Sequence, residues 1–390
     1  MPRQSLYGLT VALFAAAFAG VALADPGVTA DKIVFGQAAA LEGPASALGQ
    51  GMRDGIKAAF AETNKAGGVK GHTLELVSAD DGYEPTKAIA AAKKLIDEDK
   101  VFALVGPVGT PTSAAVEPIA AEAGVPFIGP FTGAEFLRDS AKAHVVNVRA
   151  SYFQETEAMV QHLTEDLGVK SIAIFYQDDS FGQAGLAGVK KALEKRQMSL
   201  AAEGTYERNT TAVKSGLLAI QKAKPEAVIM IGTYRPCAEF IKLAQQIKLE
   251  SVFVNISFVG SDALAKELGP AGAGVVVTQV VPFPQDASIP LVASYQAAFK
   301  AANPSAAPGF VSLEGYMVGR LVVAALAKIE GEITRKALLE AIAKTGSFDL
   351  GGVKLAYGAG NNRGSSEVFL TVIQPDGTFK AVTKLSKASG

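Results

Sequence analysis

The sequence is poor in the residue types that most often build catalytic and metal sites. Cys237 is its single cysteine, it has no tryptophan, and its 390 residues include only three histidines. One cysteine excludes an intramolecular disulfide and a cysteine metal cluster. The histidines, His72, His144 and His162, lie in separate segments. We therefore expect no metal, no cofactor and no histidine-dependent triad.

Charge is also sparse and balanced. Lys and Arg number 37 against 38 Asp and Glu, which gives a formal net charge of −1. No basic stripe with interleaved aromatic residues is present, so a nucleic-acid partner is not expected. The phosphate-binding, nucleophile-elbow and metalloprotease motifs are missing as well. Acid pairs such as Asp80–Asp81 and Asp178–Asp179 lie in turns, where neighbouring carboxylates point apart, so we predict no catalytic residues.

The first 24 residues have the pattern of a secretory signal peptide. Arg3 precedes an apolar run from about Leu9 to Val21, and Ala22-Leu23-Ala24 forms a small-x-small cleavage site. The run is shorter than the roughly 20 residues that span a bilayer, so a membrane anchor is the weaker alternative. We expect cleavage after Ala24 and export to a bacterial periplasm. Later apolar runs are interrupted by charge, Gly or Pro, and none is expected to span a membrane.

Strand-like and helix-like segments alternate along the rest of the chain. Short apolar runs bounded by turns include KIVFGQAA, TLELVSA, VFALVG, VPFIGP, SIAIFY, AVIMIG and SVFVNI. Continuous apolar strands of this kind are typical of parallel sheets that are covered on both faces. The alternation predicts a doubly wound α/β fold, and a chain that is 49% hydrophobic can supply its core.

An internal repeat is visible between residues 48–60, LGQGMRDGIKAAF, and residues 181–193, FGQAGLAGVKKAL. The shared residues are Gly49 with Gly182, Gln50 with Gln183, Gly55 with Gly188 and Lys57 with Lys190. The repeat indicates two copies of one strand-to-helix unit, one in each of two similar lobes; chance similarity over thirteen residues is the alternative. Leu48 and Phe181 would then occupy equivalent first-turn positions, at the sheet edge where ligands bind.

Two loops combine small residues with hydroxyls directly after apolar strands. They are VGPVGTPT, which contains Thr110, and IGPFTG, which contains Thr132. Amides and hydroxyls at a helix start can hold an anionic ligand group. The same residues also serve in ordinary turns, so both interpretations stay open at this point.

Several segments together resemble a known family. The stretches NKAGGVKGHTLEL, DDGYEP, VGPVGTPTSAAVEPIAAEAGVPFIGPFTG and IAIFYQDDSFGQAGLAGVKKAL resemble the branched-chain amino acid and amide binding proteins of ABC transporters. The resemblance implies a type I periplasmic binding fold, with two α/β lobes joined by three hinge crossings. We place lobe 1 at residues 25–148 plus 279–366 and lobe 2 at residues 149–278 plus 367–390.

The resemblance also implies which residues face the ligand. Carried over by position, the ligand-facing set is Leu48, Thr110, Phe131, Thr132 and Gly133 from lobe 1, with Phe181, Tyr234 and Ser257 from lobe 2. We add Tyr152, which lies just past the first crossing. Uncharged hydroxyls and main-chain groups of lobe 1 would hold a carboxylate, because their dipoles can converge on it without a counter-charge.

One position departs from the family pattern. Members that bind amino acids usually place an acidic residue where this sequence has Ser257, and a buried ammonium without an acidic partner is costly. Asp178 or Asp179 is an alternative source of the negative charge, although either could instead cap a helix. We therefore expect a small organic acid or amide with a hydrophobic part.

The predicted function is the periplasmic solute-binding component of an ABC importer. The ligand would be an amino acid, an amide or a hydrophobic or aromatic carboxylate, and the partner a membrane permease, with the protein itself a monomer. A ligand-sensing partner of a membrane receptor is the first alternative. An enzyme on the same fold is the second, and it would need an acid/base set or a nucleophile in the cleft that the sequence does not offer.

Overall fold

The computed structural model describes residues 25–386, so the predicted signal peptide lies outside the described residues. The strands are β1 (Lys32–Ala39), β2 (Thr73–Asp80), β3 (Leu104–Val105), β4 (Phe127–Ile128), β5 (Val145–Val146), β6 (Ile172–Gln177), β7 (Glu203–Tyr206), β8 (Ala227–Ile231), β9 (Val252–Asn255), β10 (Val276–Gln279), β11 (Ser347–Asp349), β12 (Lys354–Gly358), β13 (Asn361–Gly364), β14 (Phe369–Ile373) and β15 (Phe379–Val382). The α-helices are α1 (Ser46–Lys65), α2 (Pro85–Lys93), α3 (Thr110–Glu122), α4 (Tyr152–Glu165), α5 (Ser180–Glu194), α6 (Lys214–Ala223), α7 (Tyr234–Gln246), α8 (Ser261–Leu268), α9 (Pro290–Ala302), α10 (Phe310–Ala327) and α11 (Arg335–Thr345).

Two parallel sheets repeat one topology. The first sheet has the spatial order β2-β1-β3-β4-β5, and all of its pairings are parallel. The second has the order β15-β14-β10-β9-β8-β6-β7, in which β7-β6-β8-β9-β10 reproduces the first sheet strand for strand. Its outer strands β14 and β15 are antiparallel additions. The α/β class with two doubly wound lobes is confirmed.

The central strands of the second sheet are buried along their whole length. Every residue of β6 and β8 is buried, which is why IAIFYQ and AVIMI are continuous apolar runs rather than alternating ones. In the first sheet, β3, β4 and β5 are only two residues each, shorter than the apolar runs VFALVG and VPFIGP predicted. There the chain leaves the ladder early and continues as glycine-rich loops.

Three passages carry the chain between the sheets, at residues 147–151, 280–289 and 365–368. The first and third run side by side: Asn147 donates its N–H to the carbonyl of Asn362 at 2.9 Å, and Ser365 donates to the carbonyl of Val148 at 3.0 Å. The three passages lie, in order, within the stretches HVVNVRASYF, VVVTQVVPFPQDASIP and SSEVFLTVIQPDG. The lobe boundaries stay a prediction, which this sheet membership supports.

The sequence repeat corresponds to one close contact made twice. A Cβ on Gly49 would collide with the main-chain carbonyl just after β1, and a Cβ on Gly182 would collide with the last carbonyl of β6. Leu48 and Phe181, which precede these glycines, both lie in the first turn of their helices, α1 and α5. Each glycine lets its helix start tight against the end of the strand before it.

Helix α10 lies in the core of lobe 1 against α1. The two backbones approach closely, because a Cβ on Gly55 would collide with the carbonyl of Ser312 and one on Gly315 with the carbonyl of Met52. With 18 residues, α10 is long and apolar enough to span a membrane by length and composition, and most of it is buried in the protein. The expectation that no later segment meets this criterion is therefore wrong for α10, whose apolar residues serve the core.

Candidate functional site

Loops at the carboxyl ends of the strands in both sheets contact one another, and they form the walls of the space between the lobes, here called the crevice. Equivalent positions in the two lobes supply these walls. Thr110 after β3 starts α3, as Tyr234 after β8 starts α7. Thr132 follows β4, as Ser257 follows β9. This is the sheet edge at which open α/β folds bind ligands.

A chain of buried hydroxyls runs from the loops of lobe 1 to Tyr152 at the start of α4 in lobe 2. The Oγ1 atoms of Thr110 and Thr132 are 2.6 Å apart, and both residues are fully buried. The Thr132 hydroxyl also donates to the Tyr152 hydroxyl at 3.3 Å. Gly133 accepts the N–H of Tyr152 at 2.7 Å, and a Cβ on this glycine would collide with the tyrosine ring. These hydroxyls can reorient toward a ligand oxygen because each can donate or accept.

Aromatic rings from both lobes meet in the crevice around Phe258. Its ring centroid lies 5.2 Å from that of Phe131, 4.6 Å from Phe181 and 6.1 Å from Tyr83. Phe181 also packs on Tyr152 at 5.5 Å. All five residues are buried. Such an environment suits an apolar or aromatic ligand body.

Tyr83 occupies a constrained backbone position at the edge of this ring cluster. Its φ of 62° is left-handed, which is uncommon for a bulky residue and marks a locally determined conformation. The carboxylate of Asp81 accepts the Tyr83 N–H at 2.8 Å, and Gln177 of lobe 2 donates to the Tyr83 hydroxyl at 3.3 Å. The motif DDGYEP thus serves to aim a lobe 1 ring at lobe 2.

Leu48 and Tyr234 meet on another side of the crevice. The N–H of Ala47 donates to the Tyr234 hydroxyl at 3.4 Å, a contact that joins the lobes. Glycine is favoured at position 260 for two reasons. A Cβ there would press against Leu48, and the φ of +80° is a left-handed conformation that side chains disfavour. Tyr234 is buried, with 3% of its surface exposed.

A carboxylate does reach the place where Ser257 replaces the family's acidic residue. Glu155 on α4 accepts the Ser257 N–H at 3.0 Å and the Ser257 hydroxyl at 2.9 Å. It also accepts the Thr278 hydroxyl at 2.7 Å. The negative charge at this side of the crevice is therefore supplied from the helix after the first passage.

A buried cation lies next to the same serine. Arg149, in the first passage, donates from Nη2 to the Ser257 hydroxyl at 2.6 Å. Its guanidinium lies over the Phe131 ring, 4.6 Å from the centroid, and its Nε is 3.2 Å from a carboxylate oxygen of Glu314. Burial raises the pKa of Glu314 to about 7, although the charge of Arg149 opposes the shift.

Two loops at equivalent topological positions bridge the lobes at the rim. Glu84, after β2, pairs with Arg208, after β7, at 3.0 Å. Asn209 donates to Glu84 at 2.7 Å and to the carbonyl of Gly82 at 3.0 Å. Arg208 also reaches Asp179 at 3.2 Å. The lobes are thus held together by charged and polar contacts outside the aromatic cluster.

A further contact joins the lobes through a helix end. Asp262 on α8 accepts the N–H of Phe310, the first residue of α10, at 3.0 Å. Asp262 is exposed as a residue, but partial burial of its carboxyl group raises its pKa to about 6. One lobe therefore caps a core helix of the other, because the first amides of a helix lack partners within it.

The structure brings all nine sequence-predicted site residues to the crevice walls; their contact with a ligand stays a prediction. Asp179 accepts the Phe181 N–H at 2.9 Å, as the capping alternative has it, and it is also engaged by Arg208. Sequence reasoning missed Tyr83, Phe258, Arg149 and Glu155. Arg149 is the one charged residue of the stretch VVNVRASYF, which is a local signal, whereas Phe258, an apolar residue after a strand, carries none.

Other reactive groups lie apart from the crevice chemistry. Cys237 is fully buried, which raises the pKa of its thiol and makes it a small core residue rather than a nucleophile. Arg235 is partly exposed and lies 3.5 Å from Glu267. Within residues 25–386, no group of three His, Cys, Asp or Glu side chains is placed to hold a metal ion.

Comparison with characterised proteins gives consistent results. The chain is 30% identical over 269 residues to the Leu/Ile/Val-binding protein BraC3 of Rhizobium johnstonii, which covers 67% of this chain and 68% of that protein. It is 27% identical over 344 residues to the leucine-, isoleucine-, valine-, threonine-, and alanine-binding protein of Pseudomonas aeruginosa, covering 87% and 88%.

The structure is similar to a crystal structure described as a possible leucine/isoleucine/valine-binding protein from Rhodopirellula baltica. The TM-score is 0.87 at 41% identity, covering 91% of this chain and 97% of the other. The family model described as periplasmic binding protein matches residues 32–378, which include both sheets almost completely. With this match, and with two sheets of one topology facing each other across a crevice, the chain belongs to the periplasmic binding protein family.

Proposed function

We propose that this protein is the periplasmic solute-binding component of an ABC importer. It captures one small organic solute in the crevice and presents it to a membrane permease. The observation that carries this proposal is that equivalent strand ends of the two lobes meet, with a pair of threonine hydroxyls from lobe 1 next to aromatic rings from both lobes. The names of the similar proteins support the same role.

Capture follows from contacts that only the closed arrangement makes. A ligand that touches Thr110 and Thr132 on one lobe and Phe181 and Tyr234 on the other binds the closed form better than the open one. Such differential affinity is what shifts a two-state equilibrium. The crossings at residues 147–151, 280–289 and 365–368 are the proposed hinges. The rim contacts of Glu84 with Arg208 then add to closure without touching the ligand.

The ligand class follows from the chemistry of the walls. The hydroxyls of Thr110, Thr132 and Tyr152 suit an oxygen-bearing head group, and the rings around Phe258 suit an apolar body. Amino acids, amides and hydrophobic or aromatic carboxylates share this design. Both similar proteins are named for binding leucine, isoleucine and valine, amino acids with apolar side chains, and one is also named for threonine and alanine.

The protein is proposed to act by binding alone, as a monomer without a cofactor. The crevice acids support this view: Glu155 and Asp179 are both occupied by hydrogen bonds from the protein. We also propose that residues 1–24 direct export and are removed after Ala24. Amino-terminal sequencing of protein recovered from the periplasm tests the cleavage site.

Ligand titration tests the binding function. The protein is unfolded and refolded to release co-purified solute, and its thermal unfolding is then followed with a panel of carboxylates, amides and amino acids. Saturation at about 1,000 times Kd adds roughly 4 kcal/mol of stability. Tryptophan fluorescence cannot report closure because the chain has no tryptophan, so Kd is measured by calorimetry. A panel that is silent up to millimolar concentration would overturn the proposal.

A further inference from the structure

Arg149 is a buried cation whose hydrogen-bonding capacity is only partly used. The residue is 2% exposed, yet its Nε and Nη1 atoms have no hydrogen-bond partner within residues 25–386. The approach of Nε to Glu314, at 3.2 Å, has the distance of an ion pair without hydrogen-bond alignment. A buried charged donor without a partner is costly, so its position calls for an explanation.

The guanidinium lies between the two walls of the crevice. On one side it covers the ring of Phe131, which belongs to the lobe 1 loop after β4. On the other side its Nη2 donates to Ser257, which belongs to the lobe 2 loop after β9. Both neighbours are residues that the sequence places against the ligand. The unused Nη1 is therefore a donor within the binding region rather than a remote core atom.

Two carboxylates of this region, those of Glu155 and Asp179, are in contrast already engaged. Glu155 accepts three hydrogen bonds, two from Ser257 and one from Thr278. Asp179 is engaged by Gln177, Arg208 and the start of α5. A ligand ammonium would have to compete for these oxygens. A ligand anion would instead complete the donors of Arg149.

A second buried cation lies beside Arg149. Arg138, also buried, donates to the carbonyls of Ala134, Arg149 and Ala150, so it adds a second cation beside the first passage. Burial raises the pKa of Glu314, the carboxyl group nearest Arg149, to about 7. Glu135 and Glu155 also act on these buried charges, Glu135 on Arg138 and Glu155 on Glu314.

Resting on the proposed solute-binding function, we infer that Arg149 is the ionic anchor for the ligand's carboxylate, and that the ligand class is small hydrophobic carboxylates without an α-ammonium group. Fitting members are 2-oxo, 2-hydroxy and aryl-substituted acids. Guanidinium pairs with carboxylate through charge-assisted hydrogen bonds that are stronger than those of neutral donors. The carboxylate would satisfy Nη1, and the ring cluster would enclose the apolar body.

Matched ligands that share one body test the inference on the unaltered protein. Calorimetry compares 4-methyl-2-oxopentanoate and 2-hydroxy-4-methylpentanoate with L-leucine and with the amide of 4-methylpentanoic acid. A second series compares phenylpyruvate and phenylacetate with L-phenylalanine. We expect the acids without an ammonium to bind at least tenfold more tightly than the matched amino acid or amide. Tighter binding of the amino acid in both series would overturn the inference and leave the solute-binding function standing.

Variants separate the anchor from general effects on closure. Arg149→Gln should weaken carboxylate binding at least 100-fold and change amide binding little, whereas Arg149→Lys should recover part of the loss. Arg208→Gln, on the rim, is the matched control and should weaken all ligands by a similar small factor. Circular dichroism checks folding; if Arg149→Gln does not fold, the ligand series above decides alone. Equal loss for acids and amides in a folded Arg149→Gln protein would contradict the anchor, and silence of every ligand on the unaltered protein would overturn both proposals.

Discussion

The two lobes share one strand order but present different chemistry at the same edge. After the two-residue strands β3 and β4, lobe 1 offers glycine-rich loops with uncharged hydroxyls. After the longer β8 and β9, lobe 2 offers Tyr234, Ser257 and Phe258, with the charge of Glu155 behind them. The comparison shows that the fold duplicates positions while the side chains differ: the paired threonine hydroxyls are specific to lobe 1, the Glu155 carboxylate to lobe 2, and both lobes contribute rings.

The largest expected effect concerns the helix contacts that the repeat creates in each lobe. Gly55→Ala in lobe 1 would drive its Cβ into the main chain of α10 at Ser312, whereas Gly188→Ala in lobe 2 meets the side-chain hydroxyl of Thr156. We expect Gly55→Ala to lower the free energy of unfolding by about 3 kcal/mol or more and Gly188→Ala by about 1 kcal/mol. Urea denaturation measures both. Equal losses would show that the two halves of the repeat are energetically alike.

The hydroxyl wall of lobe 1 should respond next. Thr110→Ala and Thr132→Ala should each weaken binding of the preferred ligand by about 1–3 kcal/mol, because each removes a donor to a charged group. The double variant should lose less than the sum, since the two hydroxyls bond each other at 2.6 Å. Calorimetry measures the affinities. Thr63→Ala, whose hydroxyl bonds Ala59 on the same helix, is the control. Unchanged affinity in both single variants would remove the hydroxyls from the site.

The pH dependence of stability tests a difference between the lobes: Asp81 of lobe 1 is a buried carboxyl group with an unpaired oxygen, whereas Glu155 of lobe 2 accepts three hydrogen bonds. One oxygen of Asp81 has no hydrogen-bond partner within the described chain, and burial raises the pKa of this group from 3.8 to about 7. The folded protein therefore takes up a proton near pH 7 that the unfolded chain binds only near pH 4. Asp81 thus lowers stability as the pH rises from about 4 to above 7.

Asp81→Asn removes this loss and keeps an oxygen to accept the Tyr83 N–H. We expect the variant to be about 1–2 kcal/mol more stable than the unaltered protein at pH 8 and close to it at pH 4. Chemical denaturation at a series of pH values gives the two curves. The exposed Asp97→Asn, whose carboxylate is not among the groups that act on Asp81, should show no gain at pH 8. Parallel curves for Asp81→Asn and the unaltered protein would contradict the raised pKa.

The smallest effect is expected at the rim, where equivalent loops of the lobes meet. The pair of Glu84 and Arg208 is partly exposed, with 36% and 22% of the side-chain surface accessible, so its contribution is modest. Arg208→Gln should weaken ligand binding by less than about 1 kcal/mol, and the effect should shrink in high salt. Lys32→Gln, which breaks an exposed pair with Glu75 inside lobe 1, is the control. A salt-independent effect would exclude the charge as its cause.

Sequence reasoning predicted the parts of the molecule that depend on local patterns. The apolar runs gave the strands, and the matched glycines located the close strand-to-helix starts in both lobes. Glu155 could not be found in this way, because on α4 it looks like a solvent-facing helix residue and its partner Ser257 is 102 positions away. Phe258 was missed for a related reason: an apolar residue after a strand is usually core, and only the facing lobe gives it a role in the crevice.

The short length of strands β3 and β4 in lobe 1 could not be predicted from local sequence patterns either. VFALVG and VPFIGP carry enough apolar residues for longer strands, but the ladder stops after two residues and Gly106 and Gly129 take positive φ values. A Cβ at Gly129 would collide with Val318 of α10. The packing of α10, from far along the chain, therefore constrains the end of β4.

The hydrogen bond from the Phe310 N–H to Asp262 makes the hydrogen exchange of one backbone amide sensitive to separation of the lobes. Because the donor, the N–H of Phe310, and the acceptor belong to different lobes, separating α8 from α10 leaves that amide open to solvent deuterium. The exchange rate of this amide would report how often the lobes separate. A solute that binds the closed form should lower that rate, and a tighter-binding solute should lower it more. Hydrogen–deuterium exchange at Phe310 would therefore test the proposed closure without an attached label.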